Sequence, residues 1–149
     1  MLHVSLLLGA LLIFQVPISS GFVEESATLT TSSGVIHGTI DLPSGTGPFP
    51  VVLIIAGSGP TDRDGNSAML AGKNNSLKML AQSLATANIA SLRFDKRGIA
   101  ASAAAGPKEV DLRFENYVDD AAAWVEQLRH DKRFSTVTII GHSLSLIHI

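Results

Sequence analysis

A serine closes an apolar, β-branched run: Thr136-Val137-Thr138-Ile139-Ile140 leads directly into Gly141-His142-Ser143. A buried strand, a sharp turn and a serine held at its tip are how a nucleophile elbow of the form G-x-S-x-G begins. The place of the second glycine holds Ser145, so the pattern here is G-x-S. Ser143 is therefore the candidate nucleophile. His142 is excluded as its base, because adjacent side chains diverge at such a turn, and a packing role is expected for it. Three more clusters have residue types that chemistry could use: Gly57-Ser58-Gly59-Pro60, Asp62-Arg63-Asp64-Gly65-Asn66 and Asp95-Lys96-Arg97-Gly98.

These clusters need elements to position them. Ala27 to Thr31 and Val35 to Leu42 read as two strands around Ser32-Ser33-Gly34, a hairpin turn. In the second, Val35, His37, Thr39 and Asp41 alternate with Ile36, Gly38, Ile40 and Leu42, a half-buried antiparallel pattern with the polar set facing out. Val51 to Ala56 is apolar without alternation, as in a parallel strand covered on both faces. Ser76 to Ala87 reads as a helix capped by Asn75 or Ser76, with Leu77, Leu80, Ala81 and Leu84 inside and Asn88 as terminator. Ile89 to Phe94 is a strand, and Ile99 to Lys108 a mobile, Ala-rich loop. Glu115 to Arg129 is the clearest helix, with Tyr117, Ala121, Trp124, Val125 and Leu128 on one stripe. Glu115, Asp119 and Asp120 lie early in it and Arg129 last, which suits the helix dipole. Two antiparallel strands followed by strand, helix, strand, helix, strand predict an α/β sheet with right-handed crossovers.

Composition narrows the function classes. With 149 residues the chain holds at most one domain, and an apolar content of 46% supplies a core. A net charge of −2 without a basic block argues against nucleic acid as a partner. The absence of Cys excludes disulfides, thiolate catalysis and Cys-ligated zinc. Met1 to Gly21 reads as a signal peptide: an apolar run from Val4 to Val16, a break at Pro17, then small residues at Ser19-Ser20-Gly21. The run falls short of the roughly 20 apolar residues a membrane span needs. Export to the periplasm or medium is expected, with no stable membrane span after cleavage. An uncleaved anchor is the alternative.

Taken together, Ala56-Gly57-Ser58-Gly59-Pro60, Arg93-Phe94-Asp95-Lys96-Arg97-Gly98 and Gly141-His142-Ser143 resemble, in order and spacing, the α/β-hydrolase superfamily. The chain is most similar to bacterial esterases and serine aminopeptidase-like hydrolases, from about Ala27 to Ser143. The resemblance implies the N-terminal half of an α/β-hydrolase fold and acyl transfer by Ser143. An attack of that kind creates an oxyanion, which needs preorganised N–H donors. By position, the resemblance assigns one donor to the backbone N–H of Ser58 and the other to that of residue 144. Asp95, Arg97 and Gly98 match the family's Asp-x-Arg-Gly turn, with Ala100 where a further glycine is usual. Asp95 and Arg97, like Asp62 and Asp64, are expected to brace loops near the site. The expected substrate is a small ester, with an amide or peptide as the alternative, and no cofactor is implied.

In this family the acid and the base follow the nucleophile in the order Ser, Asp or Glu, His. Only Leu144-Ser145-Leu146-Ile147-His148-Ile149 follows here. His148 is rejected as the base, because too little chain separates it from Ser143. Those six residues are what CTG-TCT-CTT-ATA-CAC-ATC encodes, a transposon end used as a sequencing-library adapter. The expectation is a non-native tail at 144–149, a partial domain at 22–143, and a parent chain that carries the acid and base. The 149 residues alone are expected to be inactive.

Two other readings remain open. Asp62-Arg63-Asp64-Gly65 resembles the Asp-x-Asp-Gly motif of magnesium-dependent haloacid-dehalogenase-type phosphatases, with Asp62 as nucleophile. That motif should sit directly at a strand end, yet Gly57 to Thr61 intervene. As an EF-hand calcium loop the same residues fail, since the glycine comes fourth rather than sixth. The second reading is a binding protein that uses the same fold without catalysis.

Overall fold

The computed structural model describes residues 21–106 and 111–143. The expected leader up to residue 20, the tail at 144–149 and the end of the Ala-rich loop at 107–110 lie outside the described residues. Five strands form one sheet: β1 (Phe22–Thr31), β2 (Gly34–Pro43), β3 (Phe49–Ile55), β4 (Ala90–Phe94) and β5 (Phe134–Gly141). Their order is β1-β2-β4-β3-β5. β1 pairs with β2, and β2 with β4, antiparallel; β3 pairs with β4 and with β5 parallel. Helix α1 (Ser76–Thr86) connects β3 to β4, and α2 (Phe114–His130) connects β4 to β5. This is the expected half of an α/β-hydrolase fold, with the antiparallel strands first and the parallel ones after.

The unbroken apolar run of β3 is explained by its two covered faces. Val51, Leu53 and Ile55 join Ile36, Ile40, Leu92, Phe94, Trp124 and Leu128 in the larger core, on the α2 side. Val52, Ile54 and Ala56 join Leu77 and Ala81 of α1 in the smaller one. Trp124 is fully buried, its ring centroid 5.8 Å from that of Phe94. Each fully buried large side chain of this kind contributes about 1.5–3 kcal/mol.

Several local expectations are corrected. Asp41 belongs by alternation to the outer face of β2, yet it is fully buried, because Arg93 of β4 reaches under it and donates to Oδ2 through Nη1. Burial is the main reason its carboxyl stands above the usual carboxylate range, outweighing Arg93. Asp120 is also buried, bonded to Arg97, and does not serve the dipole of α2 at its surface. The N-cap of α1 is Asn75 in the left-handed region at φ 50°, and it makes no capping bond through its side chain. That side chain instead accepts from Asn66 Nδ2 at 2.9 Å. The Ala-rich stretch is not a mobile loop where it is described: Ala100–Ala105 forms a 3₁₀ segment with Ser102 and Ala105 buried. Ser102 Oγ accepts from the His37 N–H at 2.9 Å, so the segment closes the end of the β1–β2 hairpin. Asn88 does terminate α1, at φ 62°.

Candidate active site

β3 and β5 run parallel, and Ile55 pairs with Gly141, so their C-terminal ends deliver two loops to one place. The ladder extends one step further, with the His142 N–H donating to the Ile55 carbonyl at 3.0 Å. Ser143 follows at φ 59°, left-handed for a residue that bears a side chain. Such a conformation costs on the order of 1–3 kcal/mol and persists only where the surroundings hold it. Ser143 is exposed, at the tip of the turn.

The loop after β3 packs directly against this turn. A Cβ added to Gly57 would stand 2.7 Å from His142 Nδ1, 3.2 Å from the His142 carbonyl and 3.3 Å from Ser143 Cβ. A side chain there would displace the His142 imidazole and press on the elbow backbone, and the Gly57–Ser58 peptide borders Ser143. The structure thus brings Ser143 against Gly57, the residue that precedes Ser58. His142 lies against Gly57 but is exposed, so the expected packing role reduces to that one contact. Among the described residues, no imidazole or carboxylate hydrogen-bonds to the Ser143 hydroxyl.

The acidic residues behind the site brace it as expected. Asp62 Oδ1 accepts from the N–H groups of Asp64 at 3.0 Å and Asn66 at 2.8 Å, folding the loop back on itself. Asp95 Oδ1 accepts from the Arg63 N–H at 2.7 Å, and its other oxygen pairs with Arg63 Nη2 at 3.2 Å. Asp64 accepts from Arg93 Nε at 2.9 Å. Arg97 donates to Asp120 at 2.7 and 2.5 Å and to Ser33 Oγ at 2.9 Å, tying the turn after β4 to α2 and to the β1–β2 hairpin. The bonds to Asp120 are the main reason Arg97 stands above the usual guanidinium range. With Asp62 and Asp64 engaged in this way, the phosphatase reading gains no support. Among the described residues, no group of three His, Asp or Glu side chains is placed to hold a metal ion.

One residue of the site was not anticipated. Lys96 is buried, and its ammonium donates to the carbonyls of Gly57 and, at 3.0 Å, Gly59. Burial pushes it below the usual lysine range. The available signal was its position: it sits between two bracing residues just past the wholly buried β4.

An apolar groove of about 770 Å³ runs from the Gly57–Gly59 loop along α2, lined by Ile55, Tyr117, Val118, Ala121, Val125 and Ile139 among others. It lies between α2 and the face of the sheet that carries Ile55, Phe94 and Ile139.

Residues 70–144 match the serine aminopeptidase, S33, family. This span runs from just before α1 through Ser143. Over 109 residues the chain is 35% identical to esterase EstD of Thermotoga maritima, covering 73% of this chain and 25% of that protein. Among solved structures, the α/β-hydrolase GrgF from a Penicillium species superposes with a TM-score of 0.63 at 19% identity, covering 80% of this chain and 37% of that one. XC6422 of Xanthomonas campestris, described as an α/β serine hydrolase without a lid, gives 0.57 at 24% identity, covering 80% and 50%. These likenesses show the fold. The chain spans a quarter of the length of the curated relative it matches.

Proposed function

Because this chain belongs to the serine aminopeptidase S33 family of the α/β-hydrolase superfamily, we propose that it carries the nucleophile half of a serine hydrolase acting on carboxylic esters. The observation that carries the reading is the meeting of the two loops: Ser143 at φ 59° past the end of β5, with Gly57 backbone against its Cβ. A serine held in that conformation projects its hydroxyl away from the sheet. In the proposed reaction, Ser143 Oγ attacks the ester carbonyl, and the leaving alcohol departs as an acyl-serine forms. Water then releases the acid. The negative charge on the carbonyl oxygen in each step is met by the Ser58 N–H and by the N–H of residue 144.

The base that takes the Ser143 proton, and the carboxylate that orients that base, are proposed to come from chain beyond Ser143 in the full-length protein. The 149 residues alone are then inactive. Export by the N-terminal leader is part of the same proposal and rests on the sequence of residues 1–21. Similarity to an esterase favours an ester over an amide as substrate.

The test is to read the gene across the Ser143 codon, express the full-length protein, and challenge it with p-nitrophenyl acetate and a fluorophosphonate probe. Turnover and labelling that are both lost in Ser143→Ala support the reading. Labelling elsewhere, or turnover that survives the substitution, overturns it.

A further inference from the structure

We propose that Lys96 is the positioning residue of the oxyanion loop, setting the direction in which the Ser58 N–H points. The inference rests on the serine-hydrolase reading above and adds a role for a residue that reading does not use. Gly57 C=O and Ser58 N–H belong to one peptide unit. That unit is trans, so its carbonyl and N–H point in opposite directions. Whatever holds the Gly57 oxygen therefore aims the Ser58 hydrogen. Lys96 Nζ holds it, and binds the Gly59 carbonyl at 3.0 Å as well. Both clamped carbonyls flank Ser58.

The loop needs such a clamp. Gly57 and Gly59 leave the peptide between them free to turn over, and Gly59 already sits at φ 76°. Among the described residues, the Ser58 carbonyl is held on the other side only by the hydroxyl of half-buried Thr61, at 3.3 Å. Among the described residues, no carboxylate pairs with Lys96, so its charge is left to polarise the amide it touches. An amide whose oxygen is bound to a cation is a stronger N–H donor, since hydrogen bonds in a chain reinforce one another. Lys96 thus aims the donor and strengthens it without touching substrate.

The test compares Lys96→Met and Lys96→Arg in the full-length hydrolase, with p-nitrophenyl acetate as substrate and a trifluoromethyl ketone as a mimic of the tetrahedral adduct. Removing an oxyanion donor outright costs roughly 100- to 1,000-fold in kcat. Losing its orientation should cost Lys96→Met roughly 10- to 100-fold in kcat, with KM changed less than about threefold. Affinity for the ketone should fall in proportion to kcat/KM, and Lys96→Arg should recover part of both. Lys96→Met with unchanged kcat, or a loss carried only by KM, overturns the proposal. A crystal structure of Lys96→Met in which the Gly57 carbonyl keeps its direction overturns it independently of activity. If Lys96→Met does not fold, Lys96→Gln is read by the same criteria. Ser143→Ala separates the two readings: surviving turnover there removes the hydrolase reading itself, whereas an inert Ser143→Ala beside a fully active Lys96→Met removes only the role of Lys96.

Discussion

Arg97 and Asp120 face each other through two hydrogen bonds, Nε to Oδ2 at 2.7 Å and Nη2 to Oδ1 at 2.5 Å, with both side chains almost wholly buried. The pair joins the turn after β4 to the middle of α2. Removing one member leaves the other charged and unpaired in the interior, which typically costs 3–5 kcal/mol. Asp120→Ala should therefore destabilise the protein by about that amount, read from urea unfolding. A loss below about 1 kcal/mol would mean that water replaces the carboxylate.

Trp124 should be the most sensitive apolar position. It is fully buried, and it packs on Phe94 at the centre of the larger core. Trp124→Ala is expected to cost about 3–5 kcal/mol, checked by the same unfolding measurement.

Gly57→Ala separates activity from stability. The added methyl meets His142 Nδ1 at 2.7 Å and the His142 carbonyl at 3.2 Å. The exposed imidazole can swing away, but the backbone of the elbow must shift. In the proposed full-length hydrolase a displacement of this kind should lower kcat roughly a hundredfold, while thermal unfolding moves by only a few degrees. Both are measured on one preparation, and an unchanged kcat would show that the two loops are not coupled.

Lys96 gives stability a defined pH dependence. Burial lowers its pKa in the folded state below the ordinary 10.5, so the unfolded chain holds the proton more tightly. The cost of burying the ammonium is fully present below the folded pKa and is relieved as pH rises from there toward the unfolded value. Unfolding free energies of wild type minus Lys96→Met, taken across the alkaline range, should rise with pH over that window. A flat difference would contradict the buried charge.

The outer edge of β5 should govern solubility of the 149-residue chain. β5 ends the sheet, and Ile139 is 37% exposed on it. An apolar edge of this kind pairs with other chains. Light scattering should show concentration-dependent association, reduced in Ile139→Lys.

Much of this was legible in the sequence, and the exceptions share a cause. The unbroken apolar run of β3 and the stripe on α2 announced their elements, because burial of a strand or a helix face repeats with the element's own period. Gly57 and Ser143 could be placed because strand ends position loops. Asp41, Asp120 and Lys96 were hidden for the opposite reason. Each is a charged side chain whose burial depends on one distant partner, Arg93, Arg97 or the Gly57 carbonyl, and no local pattern records a partner that far along the chain. Ala100–Ala105 was misread because small residues give no periodicity, although a Cβ on Gly34 would stand only 2.9 Å from Ala105 Cα.

The pairing of Ile55 with Gly141 also bears on when the site can come into being. β1 and β2 are neighbours in sequence and can zip together early, but β3 and β5 lie far apart along the chain, with α1, β4 and α2 between them. Loops must close before such a contact is rewarded, so pairings of this range form late in folding. On a ribosome, everything through α2 can collapse while β5 is still unmade. Ser143 then meets the Gly57 loop only once β5 has paired with β3, so the proposed site does not exist in a nascent chain until that strand is in place.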